Sequence, residues 1–252
     1  MTTRTVLAVE RLSLRIGGAQ IIDDVTLTVP DGEMLGVIGP NGAGKTTLFN
    51  LVSGVMRPTA GRIILDGRDV TTTSVDARAR AGLGRTFQTS SLFVGLTVLE
   101  NVRLAAQAAL GGSLSLIRFP NRADEATRVA RERLELVGLA DRAESLAGGL
   151  AHGEKRKLEV AMLLAGDPSV ILLDEPMAGV ATGDVPGLVD LIRRVHAEQG
   201  KTVLMVEHHM DVVLGLVDRV AVMHHGSVLA LDTPEAVMAD PVVQSAYLGE
   251  SA

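Results

Sequence analysis

The sequence of 252 residues has no cysteine and no tryptophan, and it has only one tyrosine and four phenylalanines. Without cysteine, disulfide bonds, thiol catalysis and thiolate metal ligands are excluded, while a reducing compartment is permitted. Aromatic residues make up 2% of the chain, whereas hydrophobic residues make up 46%. We therefore expect a packed globular core that is built from Val, Leu, Ile, Ala and Met.

The chain also lacks an excess of positive charge. It has 24 Lys and Arg against 30 Asp and Glu, a net charge of −6, which argues against nucleic acid as a partner. No apolar run approaches the roughly 20 residues of a membrane-spanning helix, and the run at residues 6–9 is too short for a signal peptide. Any role at a membrane is therefore expected to come through a partner protein.

What the chain does have is a glycine-rich loop, with the spacing Gly, four residues, Gly-Lys-Thr. The loop residues are Gly39, Pro40, Asn41, Gly42, Ala43, Gly44, Lys45, Thr46 and Thr47. Residues 35–38 before it form an apolar run typical of a buried strand, and residues 47–53 after it predict a helix. Such a loop directs backbone N–H groups at phosphate oxygens, while Lys45 reaches the β- and γ-phosphates and the Thr46 hydroxyl holds Mg²⁺. The predicted ligand is a nucleoside triphosphate.

The pattern on either side of the loop alternates between strands and helices. An antiparallel β region is predicted from strands at residues 11–16 and 21–29 and from a hairpin at residues 61–67. Beyond residue 167 we predict strands at 170–173, 202–206, 219–223 and 227–230, helices at 185–196 and 210–216, and a last helix that begins at Thr233-Pro234.

The middle of the chain is helical in pattern. A short helix at residues 75–81 is followed by three longer ones. These are a helix at residues 96–109, a helix that is capped by Asn121 and ends at Gly138, and a helix at residues 154–165. We therefore predict an α/β fold: a mixed sheet core with an antiparallel β subdomain and an inserted α-helical subdomain. It is expected to be one domain, with its core at about 1–88 and 167–252 and the helical subdomain at about 89–166.

A second half of a nucleotide site follows the strand at residues 170–173. Ligands of open α/β sheets lie beyond the carboxyl ends of the strands, where Asp174 and Glu175 stand. Asp174 is suited to hold Mg²⁺, and Glu175 is suited to orient and deprotonate a water molecule. By itself, an Asp-Glu pair is equally consistent with a solvated turn.

Taken together, these motifs resemble those of the ATP-binding cassette (ABC) ATPases over essentially the whole chain. The matching positions are residues 39–46 for the first nucleotide motif, Phe87-Gln88 for the Q-loop, Leu150-Ala151-His152-Gly153-Glu154 for the signature motif, Asp174-Glu175 for the end of the Walker B strand, and His208 for the switch histidine. The overlapping reading at residues 146–150 is rejected, because residues 155–161 continue the later motif as the family's helix does.

The resemblance implies a P-loop NTPase (RecA-like) fold, ATP and Mg²⁺ as ligands, and two cassettes that face each other head to tail. Each ATP would lie between one subunit's phosphate loop and the other's signature helix, whose N-terminus carries partial positive charge. Glu175 would be the general base, Gln88 would sense Mg²⁺ and the attacking water, and His208 would contact the γ-phosphate.

Three departures from the family pattern stand out. In the signature motif, Ala151 replaces a serine and His152 replaces a glycine, so a hydroxyl contact to the γ-phosphate is lost. Ile16 stands where an aromatic residue usually stacks on adenine. The loop after Walker B reads Gly179-Val180-Ala181-Thr182 instead of carrying Leu-Asp or Leu-Asn, which puts communication between two ATP sites in doubt.

The signature motif, the Gly-x-x-Arg-Thr-Phe-Gln stretch at residues 82–88 and the ending Tyr247-Leu248-Gly249-Glu250 resemble the branched-chain amino-acid importer ATPases. The His-Gly-Glu-Lys stretch is also similar to their urea and short-chain-amide relatives. This resemblance implies a second ATPase subunit, in a homo- or heterodimer, two membrane permeases, an indirect substrate-binding protein, and a cytoplasmic location on the inner face of the cell membrane. Residues 89–96, which include Leu92 and Phe93, would receive the permease, although either apolar side chain fits an ordinary core equally well.

Other classes of protein fit the sequence less well. Soluble ABC proteins that act on nucleic acid or the ribosome usually fuse two cassettes or carry basic extensions, and P-loop kinases and GTPases lack the signature helix. Metal binding at His208-His209 or His224-His225 is disfavoured, because adjacent residues of a strand point to opposite faces.

Overall fold

The structure is a computed structural model, and it describes residues 4–86, 92–110, 124–208 and 210–248. The strands are β1 (Thr5–Ile16), β2 (Ala19–Pro30), β3 (Met34–Ile38), β4 (Ala60–Leu65), β5 (Arg68–Asp69), β6 (Leu83–Arg85), β7 (Val170–Asp174), β8 (Thr202–Val206), β9 (Arg219–His224) and β10 (Ser227–Asp232). The helices are α1 (Lys45–Ser53), α2 (Val75–Arg80), α3 (Val98–Ala109), α4 (Glu125–Val137), α5 (His152–Leu164), α6 (Val185–Gln199), α7 (Met210–Leu214), α8 (Pro234–Ala239) and α9 (Pro241–Leu248).

The chain divides into two compact units. The first comprises Met1–Leu83, Ser169–Glu175 and Arg193–Ala252, and the second comprises Gly84–Pro168 and Pro176–Ile192. No helix in the described part of the chain is both long and apolar enough to cross a membrane.

The first unit is built on a sheet in which β10, β9, β3, β8 and β7 are neighbours in that order. Strand β3 pairs in parallel with β8 and β9, and β7 pairs in parallel with β8. Every residue of β3, β7 and β8 is buried, which explains their uninterrupted apolar sequences. Because parallel strands end at the same edge, the segments that follow these three strands meet there.

A second sheet of the first unit is antiparallel, with the order β2-β1-β4-β5. Leu7 of β1 pairs with Val29 of β2 on one side and with Leu65 of β4 on the other. One apolar cluster joins both sheets with helix α1, which contributes Leu48 and Phe49 among others. The phosphate-loop helix is therefore anchored by the core, since its own nine residues are too few for a stable isolated helix.

The second unit contains α3, α4 and α5, which pack on one another. Helix α3 begins at Val98 after a complete capping box between Thr97 and Glu100. Helix α4 begins at Glu125, and the Asp124 carboxylate accepts a hydrogen bond from the Thr127 N–H. The expected cap Asn121 lies outside the described residues, and the cap of the described helix is Asp124.

The predicted α/β fold with a mixed sheet is confirmed, including the antiparallel β region and the helical segment. Three helix starts were wrong by two residues. Helix α1 begins at Lys45 rather than at residue 47. Helix α3 begins at Val98 rather than at residue 96, because Thr97 is its cap, and α5 begins at His152 rather than at residue 154. In α5, the Glu154 carboxylate reaches back to the Ala151 N–H and so stabilises an earlier first turn.

Candidate functional site

The phosphate loop leaves β3 at Ile38 and enters α1 at Lys45. Gly39 has a φ of 150°, a conformation that is almost confined to glycine. A Cβ atom at Gly39 would lie 2.2 Å from the backbone oxygen of Met223 in β9. The loop therefore runs against a neighbouring strand so closely that no side chain fits. The first N–H groups of α1 have no partner inside the helix and form an anion-binding end.

The Lys45 side chain is held inside this loop. Its ammonium donates to the carbonyl oxygens of Gly39 at 2.6 Å and Pro40 at 2.9 Å, and the residue is only 6% exposed. Burial lowers the pKa of Lys45, while the charges of Glu175 and Asp174 act in the opposite direction. A buried cation beside a turn of backbone N–H groups is suited to bind a polyphosphate.

The carboxyl ends of β7 and β8 contribute acidic groups and an imidazole. Asp174, the last residue of β7, is fully buried. Glu175 has a left-handed backbone with a φ of 48°, and its N–H donates to the Val206 oxygen at 2.9 Å. Its Oε1 lies 2.9 Å from Nε2 of His208, which follows β8, so the imidazole N–H donates to the carboxylate.

A cavity of about 300 Å³ within the first unit brings the phosphate loop, Glu175 and His208 together. Its lining residues are Ile21, Asn41, Gly42, Gly44, Lys45, Thr46, Thr47, Glu175 and His208. Ile16, the residue expected under adenine, is not among them and is 50% exposed at the end of β1. The apolar lining residue is Ile21 of β2, which no sequence signal distinguishes from other strand residues. Gln88 and Phe87 lie outside the described residues.

The predicted signature residues lie in the second unit, at the start of α5. A 3₁₀ turn at Ala147–Gly149 leads to Leu150, which is buried, and Ala151 precedes the first helical residue, His152. An alanine has no oxygen with which to cap the helix, so only the Glu154 half of a capping box is present, at 2.9 Å. The first turn of α5 therefore presents N–H groups that have no partner inside the helix, and an anion could bind them.

The oxygen groups of the first unit fit a magnesium ion. The Thr46 hydroxyl and the Asp174 carboxylate are hard oxygen ligands of the kind that Mg²⁺ prefers. Among the residues that the structure describes, no group of three or more His, Cys, Asp and Glu could hold a metal ion alone. A metal at this site would therefore need phosphate oxygens and water to complete its coordination.

The two imidazoles of His224 and His225 are in contact, with ring centroids 4.0 Å apart in an edge-to-face arrangement. The expectation that they point to opposite faces is therefore wrong. The reason is that His225 has a left-handed φ of 45° in the turn between β9 and β10, which breaks the strand alternation.

Comparisons with known proteins agree with this geometry. A family model described as "ABC transporter" matches residues 22–178, and one described as "Branched-chain amino acid ATP-binding cassette transporter" matches residues 227–252. The chain is 38% identical to the high-affinity branched-chain amino acid transport ATP-binding protein LivG of Salmonella typhimurium, over 99% of this chain and 100% of that protein. BraF of Pseudomonas aeruginosa, which carries the same description, is also 38% identical over the same shares.

Among solved structures, the chain is similar to MJ1267, an ATP-binding cassette of an ABC transporter, in its ADP conformation. The TM-score is 0.87 at 30% sequence identity, and the match covers 98% of this chain and 100% of that chain. The first family model and the relatives both extend through the phosphate loop and the Asp174-Glu175 end of β7. The chain therefore belongs to the ABC transporter family and is an ATP-binding cassette ATPase.

Proposed function

We propose that this chain is the ATP-hydrolysing subunit of an importer of branched-chain amino acids. In the binding step, the N–H groups of residues 39–47 and the Lys45 ammonium hold the triphosphate, and an apolar surface receives the adenine. Ile16 or Ile21 would supply that surface, by van der Waals contact instead of aromatic stacking. Thr46, Asp174 and Gln88 would hold Mg²⁺, which would neutralise charge on the phosphate oxygens.

The observation that carries the hydrolytic step is the 2.9 Å hydrogen bond between Glu175 and His208 at the phosphate-loop cavity. A carboxylate at this point can accept a proton from a water molecule that attacks the γ-phosphate. The imidazole N–H orients that carboxylate, and because His208 lines the cavity, its ring would lie near a bound phosphate. The left-handed backbone of Glu175 is consistent with a strained functional position.

The experiment that tests this role is Glu175→Gln, which keeps the shape of the side chain and removes its basicity. We expect ATP turnover to fall by about 10²-fold or more, the size of a lost general base, while ATP binding is retained. Glu198→Gln is the matched control, because Glu198 is an exposed residue of α6 in the same unit. Turnover by Glu175→Gln that equals that of the control would remove Glu175 from the role of base.

The proposed working form pairs this cassette head to tail with a second one, identical or homologous. In that arrangement, Leu150, Ala151, His152, Gly153 and Glu154 would meet the γ-phosphate bound to the partner's loop. What supports this is the uncapped start of α5, whose N–H groups and dipole favour an anion. Because Ala151 lacks a hydroxyl, backbone groups and the His152 imidazole would provide the contact.

A surface for the permease is proposed in the second unit. Three apolar side chains that are more than half exposed lie together there: Phe93, Val94 and Leu146. The Gly148 N–H donates to the Val94 oxygen, and residues 97 and 146 form a β-bridge, so these segments adjoin each other. An exposed apolar cluster of this kind is typical of a protein interface. The chain would then be peripheral, on the cytoplasmic face of the membrane.

The substrate is proposed from the relatives LivG and BraF and from the model that matches residues 227–252. The test is to reconstitute the chain with its permeases and binding protein and to measure ATP turnover with leucine, urea or acetamide. Stimulation by leucine supports the proposal. Stimulation by urea or acetamide alone would favour the alternative importer class, and turnover that needs no permease would favour an ABC ATPase without a transport role.

A further inference from the structure

We infer that Arg156 of α5 is a positioning residue for the proposed base Glu175. Its guanidinium Nε donates to the carbonyl oxygen of Pro176 at 3.1 Å, and Pro176 directly follows Glu175 in the chain. Arg156 is 8% exposed, so water does not readily replace this bond. The inference rests on the proposed role of Glu175 and assigns a function to a residue outside the nucleotide motifs.

The Glu175 backbone needs support from its surroundings. A non-glycine residue with a φ of 48° is strained and persists only where neighbouring contacts determine its conformation. On one side, the Glu175 N–H donates to the Val206 oxygen. On the other side, the carbonyl oxygen of the following residue, Pro176, accepts the hydrogen bond from Arg156. The two hydrogen bonds therefore bracket the strained residue that carries the carboxylate.

The Arg156 side chain is itself fixed in place. Its Nη1 lies 2.6 Å from Oε2 of Glu159, one turn further along α5, and both side chains are about nine-tenths buried. A guanidinium with one edge on a buried carboxylate and another on a carbonyl has little freedom to move. Arg156 can therefore transmit a defined position to the peptide of Pro176.

The rest of the loop after Pro176 also rests on the start of α5. A Cβ atom at Gly179, which has a φ of 73°, would lie 2.9 Å from Nε2 of His152. A Cβ atom at Gly153 would lie 3.0 Å from a carboxylate oxygen of Asp184. Residues 176–184 therefore follow the surface of the helix closely, and Arg156 holds the end of this loop that is nearest to Glu175.

Loss of this contact should reduce catalysis more than binding. A displacement of about 1 Å in a catalytic group can lower a rate about 10²-fold. We expect Arg156→Met to lower kcat for ATP about 10- to 100-fold, while KM stays within about twofold because the phosphate loop in the first unit is unchanged. Arg156→Lys keeps the charge and hydrogen-bond donors but lacks the planar guanidinium, so it should recover part of kcat.

The matched control is Arg133→Met in the same unit. Arg133 also donates its Nε to a backbone carbonyl, that of Leu164 at 3.1 Å, at the other end of α5. We would measure kcat, KM and the unfolding temperature of the purified full-length chain with saturating Mg²⁺. A fall in kcat confined to Arg156→Met supports the inference, even where both variants lose similar thermal stability. A kcat within about twofold of the control would overturn it.

Two further measurements separate the possible failures. If Arg156→Met does not fold, Glu159→Gln keeps the arginine but weakens its orientation, and unchanged kcat in that variant would overturn the inference. Glu175→Gln is measured beside it. An inactive Glu175→Gln with a fully active Arg156→Met contradicts only the positioning role, whereas a fully active Glu175→Gln contradicts the proposed function.

Discussion

Gly39→Ala and Gly42→Ala form a pair that tests how closely the phosphate loop is packed. Both glycines have positive φ, 150° and 82°, so an alanine at either position costs about 1–3 kcal/mol of backbone strain. They differ in their surroundings. A Cβ atom at Gly39 would lie 2.2 Å from the oxygen and 3.1 Å from the carbon of the Met223 carbonyl, whereas a Cβ atom at Gly42 meets nothing within 4 Å.

The obstacle at Gly39 is backbone of a central strand, so it cannot rotate away as a side chain would. Either β9 or the loop must move, and overpacking of this kind costs about 1–3 kcal/mol in addition to the strain. We therefore expect Gly39→Ala to lower the free energy of unfolding by about 2–6 kcal/mol and Gly42→Ala by about 1–3 kcal/mol.

Urea unfolding of the nucleotide-free protein measures both losses, with midpoints compared at a common m-value. Binding of a fluorescent ATP analogue then reports whether the loop keeps its shape. We expect the larger loss of affinity in Gly39→Ala. Equal unfolding midpoints for the two variants would refute the reasoning, because they would show that β9 or the loop accommodates a methyl group at no cost.

Two other predictions concern stability. Arg78→Met should lower the free energy of unfolding by about 3–5 kcal/mol. The buried guanidinium donates to the Leu51 and Val52 carbonyls near the end of α1, at 2.6 Å each, and the substitution would remove both hydrogen bonds. A loss below about 1 kcal/mol in urea unfolding would contradict this. At Glu100, the hydrogen bond from the Thr97 N–H holds the pKa of the carboxyl below its usual value. The ionised carboxylate therefore stabilises the folded protein above the unfolded pKa of about 4.3, and this stabilisation disappears as pH falls through the folded pKa. Glu100→Gln should therefore be less stable than wild type by up to about 1 kcal/mol at pH 7 and by less near pH 3, and a difference that does not depend on pH would count against it.

The parts of the fold that could be predicted are those where local chemistry requires a particular structure. Strands β7 and β8 are buried on both faces, so their apolar runs predicted them to within a residue. The spacing of glycines before Lys45 predicted the turn into α1, because a tight phosphate loop needs backbone conformations that other residues rarely adopt. The same reasoning predicted Gly138 as a helix end, and it has a left-handed φ there.

The remaining features depend on contacts between distant segments. The start of α5 depends on the reach of the Glu154 side chain, and the lining of the cavity by Ile21 depends on how β1 pairs with β2. That pairing has four register shifts along its length, so alternation alone cannot say which apolar residue of the two strands faces the loop. Arg156 belongs to no nucleotide-binding motif. Only the tertiary structure reveals that its partner is the carbonyl of Pro176, the residue after Glu175.

The pairing of Glu175 with His208 shows how strand register connects the motifs to the chemistry. Asp174 of β7 pairs with Val206 of β8, and Glu175 and His208 follow these two residues at the same edge of the sheet. A slip of one residue between the strands would move His208 by about 3.3 Å along the strand direction and reverse its side-chain face. The 2.9 Å contact between the carboxylate and the imidazole would then be lost. The buried apolar side chains of β7 and β8 oppose such a slip, because it would also disrupt their packing. The same burial that makes these strands recognisable in the sequence therefore keeps the two proposed catalytic groups within hydrogen-bonding distance.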